Sequence, residues 1–205
     1  MKSSAAQIVR QAVANTPEGG LVLGRTLMAQ AKPAAVQKQL ERLIRSGTLR
    51  RVAPGIFMRP ETSPYVSGEI PADTTEVAKA VATRSGATLM VSGAEAARRF
   101  GFSTQVPMRP LFLTSGRSQV LQVGKSSIEF RHVSPRKLLL AGRPAGVAWS
   151  ALWYLGKEEV TPATFAAIGK KLSPEEFSAL LGAREQMPAW MLKALQSFEQ
   201  EKKHG

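Results

Sequence analysis

The chain has 205 residues, with 28 Lys or Arg against 15 Asp or Glu, a net charge of +13. That excess suits a polyanionic partner. No run approaches the roughly 18 apolar residues of a membrane span, and the absence of cysteine excludes disulfides, thiolate zinc sites and cysteine nucleophiles.

The opening residues, MKSSAAQIVRQAV, contain a lysine but no apolar core of a signal peptide. A cytoplasmic protein is expected, with no membrane partner. The positive charge is uneven. Residues 1–66 hold 10 basic and 3 acidic residues, a net of +7, and residues 67–205 hold 18 and 12, a net of +6 over a longer stretch. The length fits two small domains, and composition places their boundary near residue 66.

In chain order, Ser4 caps a first helix whose apolar positions are Ala5, Ile8, Val9 and Val13, closed by Asn15-Thr16-Pro17. A turn at Glu18-Gly19-Gly20 leads to a short strand, Leu21 to Leu23, that is expected to pair with a later hairpin. Residues 24–30 (GRTLMAQ) read as a second short helix with Leu27 and Met28 inward.

The next stretch, Lys32 to Pro60, holds seven basic residues and one acid, Glu41. Pro33 suits the first turn of a helix, where its missing N–H is not needed. Val36, Leu40, Leu43 and Ile44 form one apolar stripe, and Ser46-Gly47 is a left-handed stop. Lys38, Arg42 and Arg45 fall off the stripe, as do Ala34, Ala35 and Gln37. Small residues at an exposed helix N-terminus allow close approach to a groove, and the free N–H groups favour phosphate. Thr48 to Val52 and Ile56 to Arg59 then form a hairpin about Pro54-Gly55, decorated by Arg50, Arg51 and Arg59.

This order of elements is that of a winged helix-turn-helix, with its helix in the major groove of double-stranded DNA and its wing on the backbone or minor groove. The candidate DNA-binding residues are Lys32, Ala34, Ala35, Gln37, Lys38, Arg42, Arg45, Arg50, Arg51 and Arg59. A basic helix face alone is usually solvated surface; here it coincides with the order of elements.

Residues 61–74 (ETSPYVSGEIPADT) read as a linker pinned by Tyr65. Thr74 or Thr75 is expected to cap a helix to about Thr83, with Val77, Ala80 and Val81 inward. Ala87 to Val91 reads as a buried strand and Ala94 to Phe100 as a helix. Three strands follow, at Pro110 to Thr114, Val120 to Val123 and Ser127 to Val133, and are expected to form an antiparallel meander. The remainder reads as helices near 135–140, 145–155, 162–171, 174–185 and 188–202, with a frayed polar end, EQEKKHG. The fold class is therefore α+β: an N-terminal winged helix-turn-helix in residues 1–66, and a mixed domain with a meander and a helical C-terminal part in residues 67–205.

Catalytic constellations are incomplete. The histidines are His132, in a strand, and His204, in the tail, and the single aspartate is Asp73. Paired-carboxylate, metal-dependent nuclease and Ser-His-Asp schemes all lack parts. VGKSS at 123–127 resembles the end of a phosphate loop, but Gln119 stands where the first glycine is required. Ser134-Pro-Arg-Lys137 has S-x-x-K spacing without companion motifs. No enzyme, cofactor or metal is expected. The basic pairs Arg98-Arg99, Arg136-Lys137 and Lys170-Lys171 suit either a patch for an acidic partner or flanking DNA, or plain solvated surface.

The Leu40 to Phe57 pattern (LERLIRSGTLRRVAPGIF), then VSGAEAARRFGFSTQVP and RPLFLTSGRSQVLQVGKSSIEFRHV, resembles the AbiEi-type antitoxins of type IV toxin–antitoxin systems, in particular a short, full-length branch with its own N-terminal winged helix. The resemblance implies a protein that binds operator DNA, represses its own operon and counteracts a nucleotidyltransferase-like toxin, with or without a direct complex. The alternatives are a stand-alone winged-helix regulator of a mobile element or defence locus, and an enzyme acting on nucleic acid.

Overall fold

The computed structural model describes residues 4–62, 70–106 and 108–204. The protein is mixed α+β, and its chain divides into two compact units. The first comprises Met1–Gly86 and Val120–Ile128, and the second Ala87–Gln119 and Glu129–Gly205.

In the first unit, helix α1 (Ala5–Ala14) starts with a capping box. Ser4 Oγ accepts the Gln7 N–H, and Gln7 Oε1 accepts the Ser4 N–H. Strand β1 (Leu21–Leu23) runs into helix α2 (Gly24–Met28), and helix α3 (Pro33–Arg45) follows with proline in its first turn. Strands β2 (Arg50–Ala53) and β3 (Ile56–Met58) close the hairpin. The sheet order is β1-β3-β2 and both pairings are antiparallel. β1 therefore pairs with the hairpin, as the sequence suggests, with Val22 opposite Phe57.

The reason for this arrangement is apolar. Val9, Val13, Val22, Leu27, Val36, Leu40, Leu49 and Phe57 form one buried cluster, to which the partly buried Leu43 and Ile44 add. Gly24 permits a close approach. A Cβ there would lie 3.2 Å from the Phe57 ring and 3.4 Å from the Gly55 carbonyl oxygen. Its N–H donates to that carbonyl at 2.9 Å. The start of α2 is thereby tied to the hairpin turn, where Gly55 adopts a φ of 71°.

Helix α4 (Thr74–Ser85) also belongs to this unit, whose first segment runs to Gly86. Its cap is Asp73 rather than Thr74 or Thr75. The Asp73 carboxylate accepts the N–H groups of Thr75 and Glu76 at 2.7 and 3.0 Å, which satisfies two orphan donors and places negative charge at the positive end of the helix. The linker residue Tyr65 lies outside the described residues.

The second unit begins with strand β4 (Leu89–Val91) and helix α5 (Gly93–Phe100), which Ser92 caps. Strand β5 (Leu111–Thr114) pairs antiparallel with β4. Strands β6 (Gln119–Val123) and β7 (Ser126–His132), whose stretch Val120–Ile128 is counted with the first unit, do not complete a meander. The order is β4-β5-β7-β6, and β5 runs parallel to β7 with Phe112 opposite Phe130. The apolar content of the strands explains the swap. β7 buries Ile128 and Phe130 and takes the inner position, whereas β6 leaves Val120 59% exposed at the edge.

Helices α6 (Pro144–Glu159), α7 (Pro162–Gly169), α8 (Pro174–Gly182) and α9 (Ala189–His204) form the rest. α9 is regular to His204, in place of the frayed end that its polar residues suggest. The core centres on the fully buried Trp149, Leu152, Phe165, Ile168, Leu180, Met191 and Leu195. Trp149 Nε1 donates to the Arg136 carbonyl at 2.9 Å, so its polar edge is satisfied inside an apolar setting. α5 packs tightly on α6 because Gly93 has no side chain. A Cβ there would sit 2.4 Å from Tyr154 Cβ.

Candidate nucleic-acid interface

The α3 stripe of Val36 and Leu40 is buried, which turns the opposite side outward. Lys38, Arg42 and Arg45 are exposed there at spacings of four and three, one face of the helix. Among the described residues no carboxylate pairs with any of them. Arg42 and Arg45 also lie in the last turn, where cations favour the negative end of the helix dipole.

At the other end, Lys32 occupies the cap position, and its carbonyl accepts the N–H groups of Ala35 and Val36. No side chain caps the helix. Lys32 and Ala34 are exposed and Ala35 is half-buried. Gln37 is half-buried, and its amide donates to Glu41 Oε1 at 2.9 Å.

The hairpin separates its arginines. Arg50 stands opposite Met58 and Arg51 opposite Phe57. The Arg51 guanidinium lies 5.6 Å from the Phe57 ring centroid, a distance suited to a cation–π contact. Arg59 follows β3 and is engaged elsewhere. Its guanidinium donates to the Thr16 carbonyl at 3.0 Å and pairs with Glu18 at 3.4 Å. Its backbone bonds to Gly19 and Gly20. Arg59 therefore fastens the turn after α1, at the end of β3 remote from Pro54-Gly55.

Two arginines outside the sequence-predicted set are linked to the hairpin turn, one directly and one through the other. Arg84 of α4 donates to the Pro54 carbonyl, and Arg25 of α2 donates to the Arg84 carbonyl. Arg84 stands 30 residues after Pro54, beyond the reach of any local pattern. Arg25 is the single charged residue of GRTLMAQ, and no local pattern marks it.

Residues 7–180 match the profile of a family of unknown function, DUF6088. The chain belongs to the DUF6088 family. No curated protein and no solved structure matches it. The matched segment of this DUF6088 chain includes α3, the hairpin and α4.

The two motif fragments, VGKSS and Ser134 to Lys137, fall in short connections. Gly124-Lys125 is the turn between β6 and β7, and Pro135–Leu138 is a 3₁₀ turn. His132 is exposed, with Nδ1 2.8 Å from the Gly116 carbonyl oxygen. Among the described residues no group of three or more His, Asp or Glu is placed to hold a metal, and no helix is long and apolar enough to cross a membrane.

Five of the six residues in the basic pairs of the second unit have internal partners. Arg98 and Arg99 share Glu95 at 2.8 and 3.0 Å. The two guanidinium groups hold the Glu95 carboxyl below its usual range, the Arg98 hydrogen bond foremost. Arg136 and Lys137 both lie over the Trp153 ring, at 5.7 and 5.1 Å. Lys171 donates to the Arg99 carbonyl at 3.2 Å.

Proposed function

We propose that the N-terminal unit is a winged helix-turn-helix that binds double-stranded DNA. In this reading α3 enters the major groove, and Arg50 and Arg51 of the hairpin meet the backbone. The observation that carries it is the exposed Lys38, Arg42 and Arg45 face of α3, free of carboxylate partners among the described residues and followed directly by a basic hairpin. Gln37 is the residue of this face suited to an adenine edge. Arg59 differs from Arg50 and Arg51 in already engaging the Thr16 carbonyl and Glu18, whose carboxylate offsets its charge.

The resemblance to AbiEi-type antitoxins extends the reading. The protein represses its own operon through this unit and counteracts a nucleotidyltransferase-like toxin encoded beside it. The second unit is the candidate for the antitoxic role. Footprinting on the DNA upstream of its own gene tests the first part, and co-expression with the neighbouring gene, scored by growth, tests the second. Equal affinity for promoter and random duplexes would sink operator recognition. Growth arrest unrelieved by the protein would sink the antitoxin role.

A further inference from the structure

Two helices of the first unit, α2 and α4, converge on the Pro54-Gly55 turn. α2 reaches it through the Gly24 N–H on the Gly55 carbonyl. α4 reaches it through Arg84 on the Pro54 carbonyl, and Arg25 of α2 ties back to the Arg84 carbonyl. A cavity of about 320 Å³ beside the turn is lined in part by Arg25, Gln37, Arg51 and Arg84. An adjoining one of about 450 Å³ is lined in part by Arg25, Thr26, Arg84 and Ser85. The two share Arg25, Gly55 and Arg84, and neither has Asp or Glu in its lining.

A guanidinium carries five N–H donors. Arg25 and Arg84 each commit one group to a carbonyl, which restrains the side chain and leaves donors over. Arg51 is held near the Phe57 ring and is exposed. Three cations around one turn, with no carboxylate in the linings, create a positive potential that favours an anion. Guanidinium groups match phosphate oxygens in geometry as well as charge.

We propose that Arg25, Arg51 and Arg84 form a phosphate clamp that grips the DNA backbone beside α3, so that α4 is part of the DNA-binding surface. The inference rests on the reading of the N-terminal unit as a DNA binder. The lining favours DNA over a small free anion. It includes Gln37, so the groove reaches α3, and two adjoining open lobes suit a passing strand better than one compact group. Contacts of this kind position the protein and carry no sequence information.

The test uses the full chain and the variants R25A, R84A, R84K and R25A/R84A. Affinity for a promoter duplex and for a random duplex is followed across salt concentration. Removing one arginine–phosphate interaction should lower the salt slope of log K by about 0.9, equally on both duplexes, and R84K, which keeps the charge, should retain the slope. An arginine that only braces the turn would lower melting temperature or affinity without changing the slope. A wild-type slope in R25A/R84A therefore overturns the clamp. If R84A does not fold, R25A alone decides, since Arg25 is exposed on α2. A mononucleotide that binds wild type but not R25A/R84A, with the DNA slope unchanged, would reassign the groove to a small anion. Wild-type protein that binds no duplex would instead defeat the underlying reading.

Discussion

The Gln37 side chain donates to Glu41 one turn further along α3, at 2.9 Å. Glu41 is the only acid between Lys32 and Pro60. It thus occupies an amide N–H that a base-reading glutamine would present to adenine. Gln37→Ala should cost about 1–3 kcal/mol on the cognate duplex and less on random DNA. Glu41→Gln should tighten binding to random DNA, because it removes a negative charge from a face proposed to meet phosphate. Gel-shift titrations on both duplexes check this pair. Equal losses on the two duplexes for Gln37→Ala would mean that the residue does not read bases.

Lys38, Arg42 and Arg45 should act through phosphate. Replacing all three with Ala should flatten the salt dependence, by about 0.9 in slope for each phosphate no longer neutralised. These side chains are exposed, so thermal stability should change little, within about 0.5 kcal/mol. Anisotropy titrations from low to moderate salt give the slope, and a melting curve controls for folding. Arg59→Ala should behave in the opposite way. It releases the Thr16 carbonyl and Glu18, so the melting temperature should fall while the salt slope holds.

How far the chain can be read follows from the range of the interactions. α3 is legible because Val36 and Leu40 repeat within one helix, and both are buried. The hairpin is legible because Pro54-Gly55 carries its own turn chemistry, and Gly55 has the positive φ it implies. The parallel neighbours β5 and β7 are not, because adjacency in sequence favours the hairpin partner and the choice of inner strand depends on burial at Ile128 and Phe130. The Asp73 cap is hidden by the two threonines after it, each an acceptable cap by type. For the candidate site, Lys38, Arg42 and Arg45 follow from being off the apolar stripe. The engagement of Arg59 with residues 43 and 41 positions away, and of Arg84 with Pro54, needs the tertiary fold.

Gly93 gives a direct test of the second unit's packing. A Cβ there would stand 2.4 Å from Tyr154 Cβ and 2.9 Å from the Ser150 carbonyl oxygen. Backbone and Cβ atoms cannot swing aside as the end of a long side chain can, so α5 and α6 must separate. Gly93→Ala should destabilise by about 1–3 kcal/mol, the usual cost of overpacking, despite the better helix propensity of alanine. Gly182→Ala makes the control, since a Cβ there meets nothing within 4 Å. Denaturant melts of the two variants should differ clearly; equal midpoints would contradict the close α5–α6 contact.

Glu176 links α8 to the start of α6 and makes part of the stability pH-dependent. Its carboxylate accepts the Ala145 N–H at 2.9 Å and pairs with Arg143 at 2.9 Å. The backbone N–H at the helix start, and then the Arg143 hydrogen bond, hold the carboxyl below its usual range. A depressed folded-state pKa means that the unfolded chain takes up the proton first as pH falls. The stabilisation is therefore fully present above the unfolded value of about 4.3 and is lost as pH drops through the lower folded value. Glu176→Gln cannot titrate and loses the ion pair. The gap in melting temperature between wild type and Glu176→Gln should be widest near neutral pH and should narrow below about pH 4. Glu95 and Glu175 are also shifted downward, so both proteins will weaken in acid, and the difference between them isolates Glu176. A gap that stays constant from neutral to acid pH would show that the charge of Glu176 contributes nothing to this contact.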